Sequence, residues 1–357
     1  MKKLLSLLLL IGLIAAVTAC GGDDDDDSGA ESTNTGDDDS AGALTLRLGY
    51  FPNITHAQAL VGLEDGTFAE SLGSNVTLEP VAFNSGTEVI TAIFAGEIDL
   101  SYIGPNPTIN GYVQSDGEAV RVIAGATSGG ALLVVRPDAG IEEAADFAGK
   151  KVATPSLGNT QDVALRNWLL DNGLASRENG GDVQVIPTAN PDALTLFQQG
   201  EIDAAWVPEP WATRLVQEAD GEIFLDERDL WDAGQFVTTQ LIAETGFLEE
   251  HPDTVRDFLS AHIEITQFIQ DNPEEAKTLV NQGIESATGE PLPQEVIDAA
   301  WENIEPTFDP IASSLRESAA AAFELEFLEE EPNLENLYAL ELLNEILAEL
   351  GLDPVEA

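Results

Sequence analysis

Two stretches of the chain echo each other: Phe94-Ala-Gly-Glu-Ile-Asp-Leu-Ser-Tyr-Ile-Gly-Pro-Asn-Pro107 and Phe197-Gln-Gln-Gly-Glu-Ile-Asp-Ala-Ala-Trp-Val-Pro-Glu-Pro-Trp211. Each reads as the end of a helix, a Gly-Glu-Ile-Asp turn, a short apolar strand and the Pro-marked start of another helix. A repeated strand-and-helix unit implies two lobes of like construction, with strand ends and helix starts facing across a cleft. The match could also be fortuitous, because any α/β chain contains many helix-turn-strand joints.

The surrounding sequence extends the unit in both directions. Leu44 to Phe51 alternates as a strand and breaks at Pro52, His56 to Glu70 reads as a helix, and Val76 to Phe83 as a strand. The spacing of Val89, Ile90, Ile93 and Phe94 marks a helix before the strand Ile98 to Ile103. Strands at 120–126 and 131–135 follow, separated by Thr127-Ser-Gly-Gly130. A second unit then runs strand 151–153, helix 160–172, strand 183–186, helix 192–199, strand 202–207, helix 210–219 and strand 223–225. The chain returns near 235–242 and continues as helices at 252–271, 273–282, 293–303, 311–329 and 334–350. Alternating strands and helices predict an α/β fold with mostly parallel sheets. The expected lobes are 44–135 with 236–357, the latter adding C-terminal helices, and 136–235. Chain crossings near 133–140 and 226–236 would form a hinge.

The amino-terminal end bounds the location. Lys2 and Lys3 precede an apolar or small run from Leu4 to Val17, then Thr-Ala-Cys20. Residues 1–19 read as a secretory signal, since the run is too short to span a bilayer. An apolar residue at −3, small ones at −2 and −1, and Cys20 at +1 resemble a bacterial lipobox, which implies lipid on the sulfur of Cys20; an ordinary signal with an incidental cysteine is the alternative. Two or more acyl chains anchor stably. Residues 20–43, with Asp23 to Asp27 and Asp37 to Asp39, have the composition of a self-repelling, disordered tether reaching about 25 Å. Cys20 is the only cysteine, so no disulfide forms within one chain.

The formal charge is −51, and from Ala43 onward 56 acidic residues face 12 basic ones, a net of −44. Nucleic-acid binding needs clustered Lys and Arg and is excluded on this balance. A saline habitat or lineage bias would each account for the acidity. His56, His251 and His262 are far apart, with no partner at ligand spacing, so no metal or cofactor site is expected. No Gly-x-Ser-x-Gly elbow, phosphate-binding loop or cysteine nucleophile supports catalysis.

Binding chemistry concentrates at the strand-to-helix corners. Four lie in the first unit: Tyr50-Phe-Pro-Asn-Ile-Thr-His56, Asn84-Ser-Gly-Thr87, Gly104-Pro-Asn-Pro107 and Thr127-Ser-Gly-Gly130. Two lie in the second: Pro155-Ser-Leu-Gly-Asn-Thr-Gln161 and Pro208-Glu-Pro-Trp211. Ligands of open α/β sheets sit at such carboxyl ends. The first amides of a helix lack partners and carry the positive end of its dipole, so they bind an anion without Arg or Lys. Each Ser, Thr or Asn there also has the simpler role of an N-cap. Trp211 can wall a cleft or fill a core, and Glu209 can meet a ligand amine or cap its own helix.

These residues resemble the solute-binding lipoproteins of the aliphatic sulfonate, nitrate and taurine uptake systems, which have the two-lobed periplasmic-binding-protein-like fold, type 2. The likeness runs from Leu44 to Leu352. It rests on Gly49-Tyr-Phe-Pro-Asn-Ile-Thr-His-Ala57, Phe94 to Pro107, Gly149-Lys-Lys-Val-Ala-Thr-Pro155, Leu157-Gly-Asn-Thr-Gln-Asp162 and Gly200 to Trp211. Gly246-Phe-Leu-Glu-Glu-His-Pro-Asp253 and Leu347-x-x-Leu-Gly-Leu352 add to it. It implies a monomeric binding protein that hands a small anionic ligand to an ABC permease and its ATPase subunits, touching the membrane only through its lipid. By motif position the resemblance carries ligand contact onto Asn53, His56, Ser85, Gly86, Ser128, Gly129, Asn159, Thr160 and Trp211, with Tyr50, Asn106 and Glu209 at the same corners. An alkyl group would lie against Tyr50 and Trp211. Relatives take sulfonates, taurine, nitrate, bicarbonate and pyrimidine or thiamine precursors. Self-consuming pyrimidine synthases of this fold group need a cysteine-rich motif that is absent here, so the expectation is a binder and not an enzyme. A ligand-sensing or adhesive lipoprotein is the competing role.

Overall fold

The computed structural model describes residues 44–357; the expected signal, Cys20 and the tether lie outside them. Strands are numbered in chain order: β1 (Leu44–Tyr50), β2 (Val76–Ala82), β3 (Leu100–Ile103), β4 (Val120–Gly129), β5 (Ala131–Val135) and β6 (Lys151–Thr154). They continue as β7 (Gln184–Pro187), β8 (Ala204–Pro208), β9 (Glu222–Asp226), β10 (Val237–Glu244) and β11 (Ile304–Pro306). The helices begin with α1 (Ala57–Glu64), α2 (Thr67–Leu72), α3 (Gly86–Phe94), α4 (Pro105–Gln114), α5 (Thr160–Asp171), α6 (Asn190–Gln198) and α7 (Trp211–Ala219). They end with α8 (Thr245–Glu250), α9 (Pro252–Asp271), α10 (Pro273–Thr288), α11 (Gln294–Trp301), α12 (Ala312–Glu324) and α13 (Glu341–Leu350).

Two sheets form, ordered β2-β1-β3-β10-β4-β11 and β7-β6-β8-β5-β9. In each, three parallel strands adjoin one antiparallel strand, β10 in the first sheet and β5 in the second. The echoed motif accounts for this likeness. Gly96 and Gly200 sit at φ 68° and 73°, the left-handed conformation that ends α3 and α6. The next amide closes each helix: Glu97 N donates to Ala92 O at 2.8 Å and Glu201 N to Leu196 O at 2.9 Å. Ile98 and Ile202 then drop into the core. Asp99 Oδ2 accepts from Arg47 N at 2.7 Å and Asp203 Oδ2 from Lys151 N at 2.8 Å, so each aspartate aligns β3 or β8 with its parallel neighbour. The two units are built by the same contacts.

The first crossing between sheets lies at Gly129–Gly130 and not at 133–140. The apolar run Ala131–Val135 pairs with β8 and β9 and belongs to the second sheet. The chain passes back from the second sheet to the first between β9 and β10, within 227–236. The expected helix 56–70 divides at Gly66 into α1 and α2. The expected helices 311–329 and 334–350 are shortened to α12 and α13. Between them the backbone joins a sheet: Val122 N donates to Leu337 O at 2.8 Å and Ala339 N to Val122 O at 2.9 Å.

The helices after β10 pack chiefly on the first lobe. Phe258 of α9 stacks on Phe68 of α2 with ring centroids 4.3 Å apart. His262 of α9 reaches under the sheet, its Nε2 facing Gly125 O at 2.9 Å and its Nδ1 facing Tyr102 Oη at 2.8 Å. A carbonyl accepts only, so Nε2 carries the proton and Tyr102 donates to Nδ1. Burying a phenylalanine such as Phe68 or Phe258 contributes about 1.5–3 kcal/mol. In the second lobe Trp206 is buried and its Nε1 donates to Glu227 Oε2 at 2.8 Å.

Candidate functional site

A cavity of about 40 Å³ lies between the two sheets. It gathers the carboxyl ends of parallel strands from both, as open α/β sheets lead one to expect. Asn53, His56, Ser85, Gly86 and Gly104 line it from the first lobe; Asn159, Thr160, Gln161 and Asn190 line it from the second.

Its polar character comes from helix starts. Ser85 Oγ accepts from Glu88 N at 3.4 Å, and Asn159 Oδ1 from Asp162 N at 2.9 Å. These caps consume the third amide of α3 and α5. The first two, at Gly86 and Thr87 and at Thr160 and Gln161, have no acceptor within their helices. At α4, Pro105 and Pro107 carry no N–H, which leaves the Asn106 amide as the donor of that turn. The two lobes meet closely here, since a Cβ added at Gly104 would lie 2.6 Å from Thr160 Oγ1.

His56 adds a directed donor. Phe51 N donates to its Nδ1 at 3.3 Å, which puts the proton of the neutral ring on Nε2. Burial pushes its pKa down to about 3, so the ring is uncharged at neutral pH. Among the described residues lining the cavity there is no Asp, Glu, Lys or Arg. The site therefore offers oriented neutral donors, suited to oxygens that share one negative charge.

Six of the residues singled out in the sequence line this cavity together: Asn53, His56, Ser85, Gly86, Asn159 and Thr160. The other six do not. Tyr50 packs into the hydrophobic core of the first lobe, which removes it as an alkyl wall. Asn106 is buried and bonded through Nδ2 to Ser318 O at 3.4 Å. Ser128 Oγ accepts from Phe236 N at 3.3 Å and Gly129 O from Thr238 Oγ1 at 2.5 Å, so both secure the chain crossing. Glu209 caps α7, accepting from Thr213 N at 3.0 Å and Thr213 Oγ1 at 2.9 Å. Trp211 faces an adjoining groove of about 530 Å³, with the Arg214 guanidinium 4.6 Å from its ring centroid.

Sequence reasoning missed Asn190, Thr238 and Thr239 in the lining. Asn190 could have been found, because Asn190-Pro191 after β7 repeats the strand-to-helix signal of the other corners. Thr238 and Thr239 gave no signal, since β10 reaches the cavity only because the chain crosses back into the first sheet.

Fold and site together define a two-lobed α/β binding-protein architecture. The chain matches the NMT1-like family over residues 39–282, more than half its length, and belongs to that family. It is similar to the taurine-binding periplasmic protein of Escherichia coli K12, with 26 % identity over 60 % of this chain. That alignment spans 64 % of the relative's length, under two thirds. Among solved structures, the alkanesulfonate-binding protein of Xanthomonas axonopodis pv. citri bound to MOPS superposes with TM-score 0.69 and 15 % identity, covering 83 % of this chain and 98 % of that one. The periplasmic nitrate-binding protein of Synechocystis PCC 6803 superposes with TM-score 0.73 and 18 % identity, covering 87 % and 89 %. Among the described residues no helix is long and apolar enough to cross a membrane.

Proposed function

We propose that this protein is the extracytoplasmic solute-binding component of an ABC importer, anchored by lipid on Cys20, which captures a small oxyanion, an aliphatic sulfonate above all, and delivers it to the permease. The observation that carries this reading is the uncharged cavity where helix amides of both lobes converge. The names of its relatives support it, since one binds taurine, another alkanesulfonate and a third nitrate. None of those names describes an enzyme. The ligand oxygens would take the Gly86, Thr87, Thr160 and Gln161 amides and His56 Nε2–H. An alkyl tail would leave toward the groove beside Trp211.

Closure would be read out by bonds that cross between lobes. Trp211 Nε1 donates to Asn53 Oδ1 at 3.0 Å, Asn110 Nδ2 to Gly158 O at 3.3 Å and Gln217 Nε2 to Glu295 O at 3.1 Å. A ligand bound by amides of both lobes favours the state in which these bonds exist, and the permease would recognise that state.

A thermal-shift screen of the mature protein against sulfonates, taurine, nitrate, bicarbonate and pyrimidines tests the reading. Ligand at 100 times its dissociation constant adds about 2.7 kcal/mol to folding stability. Absence of a shift with every oxyanion discards it. Anchoring has its own test: Cys20→Ser is expected to release the protein from the membrane fraction.

A further inference from the structure

A second groove, of about 430 Å³, lies where α5 and α12 meet the segment between β9 and β10. Ala164 and Trp168 of α5, Ala321 of α12, and Leu230 and Trp231 of that segment give it an apolar wall. It shares no lining residue with the oxyanion cavity or with the groove beside Trp211.

Glu227 lines this groove although it is only 2 % exposed. Its Oε2 accepts from Trp206 Nε1 at 2.8 Å, and among the described residues no hydrogen bond reaches Oε1. The Trp231 indole stands beside the same carboxyl, yet its buried Nε1 completes no hydrogen bond. Burial disfavours the ionised carboxyl and the charge of Asp226 adds to that, while no Lys or Arg lines the groove to offset either. A buried carboxyl without a counter-charge is costly and calls for a cause. Asp171, Glu317 and Glu324 also line the groove and are exposed. In so acidic a chain exposed carboxylates carry little weight, so the argument rests on Glu227 and the wall beside it.

That wall narrows the chemistry. Phe236 stacks on Trp231 with ring centroids 5.7 Å apart, and among the described residues no second ring or guanidinium packs on that indole. A hydrated inorganic cation would answer the charge but leave the indole and the alanines facing water. A neutral apolar molecule would cover the wall but leave Glu227 uncompensated. An ammonium group on an apolar body does both, and the indole face adds attraction for the cation. We propose that this groove is a second binding site, for a small organic ammonium whose head lies beside Glu227 and whose apolar body packs on Trp231 and Ala321. It stands apart from the oxyanion site and does not rest on that reading.

Calorimetry on the mature protein at pH 8 tests it, in about 0.15 M NaCl to screen diffuse attraction of cations to the acidic surface. The probes are 2-phenylethylammonium, 2-phenylethanol, which keeps the ring without the charge, and ethylammonium, which keeps the charge without the ring. Saturable one-to-one binding of 2-phenylethylammonium is expected, tenfold or more tighter than that of either other probe. Glu227→Gln retains an amide oxygen to accept from Trp206 Nε1, and should lower the ammonium's affinity about tenfold while leaving the alcohol's unchanged. Ala320→Trp, at an exposed position lining the groove, should block both. Circular dichroism and ligand-free melting verify the fold of each variant. Absence of saturable binding, equal affinity of 2-phenylethylammonium and either other probe, or full ammonium affinity in either folded variant overturns the proposal.

Discussion

Asn303 Nδ2 donates to Glu209 Oε1 at 2.6 Å, joining the end of β8 in the second lobe to the segment before β11 in the first. The same carboxylate caps α7, so one buried acid couples a helix start to the lobe boundary. Burial raises its pKa to about 7 even though its three hydrogen bonds favour the ionised form.

Stability should therefore pass through a maximum with pH. Burial also pushes Glu227 up to about 7, against 4.5 when unfolded. A raised carboxylate contributes stability that is complete below 4.5 and lost as pH climbs through about 7. His56 and His262 are pushed down by burial to about 3 and about 4, from 6.5 when unfolded. Their contribution is present above 6.5 and lost as pH falls toward those values. Opposite slopes place the optimum roughly between pH 5 and 6. Melting temperatures across pH 4–9 check this, and Glu209→Gln with Glu227→Gln should flatten the alkaline limb relative to the native protein.

Thr160 is the first residue of α5, and Asn159 before it is extended at φ −79°, ψ 177°. Proline fits both conditions, so Thr160→Pro should fold while losing one ligand-facing amide. Thr160→Ala keeps that amide and serves as control. Loss of a charge-assisted bond implies a drop in affinity of roughly tenfold or more for the proline variant relative to the alanine one. Equal affinities would remove the α5 start from the site.

Gly104 and Thr160 approach from opposite lobes so closely that a methyl group at 104 meets Thr160 Oγ1 at 2.6 Å. Gly104→Ala should hinder closure, weakening binding while ligand-free melting stays within about 1 kcal/mol of the native protein. Small-angle scattering with saturating ligand is expected to report a larger radius of gyration than for the native complex.

The cavity holds no cation, yet the described chain belongs to a molecule with 65 acidic and 14 basic residues. An approaching anion is therefore repelled, and salt screens that repulsion over a Debye length of about 10 Å at 0.1 M. Stopped-flow association rates should rise as NaCl increases from low millimolar to about 0.15 M. A falling rate would point to a local positive field that the site does not contain.

Much of the architecture was legible because local chemistry and tertiary role coincide in the repeated motif. Glycine ends a helix, isoleucine enters the core and aspartate binds the neighbouring strand, and each act demands that residue type. The corner residues Ser85 and Asn159 were readable for the same reason, since a cap also directs the free amides beside it. What escaped was set by distant partners. The pairing of Ala131–Val135 with the second sheet is fixed by β8, some seventy residues later in the chain. Tyr50 has the alternating pattern of a strand end, but whether its ring meets ligand or core depends on what packs behind it. Leu334 to Leu340 has helical spacing, yet β4 offers an edge that recruits its backbone.

Because the chain enters the second sheet at Gly130 and leaves it after β9, residues 131–226 form one uninterrupted insert within the first lobe. That segment is a natural cassette: grafting the matching stretch of a relative between the same two joints would exchange half of the recognition surface in a single cut, while the other half, and whatever grips it, stayed as it was.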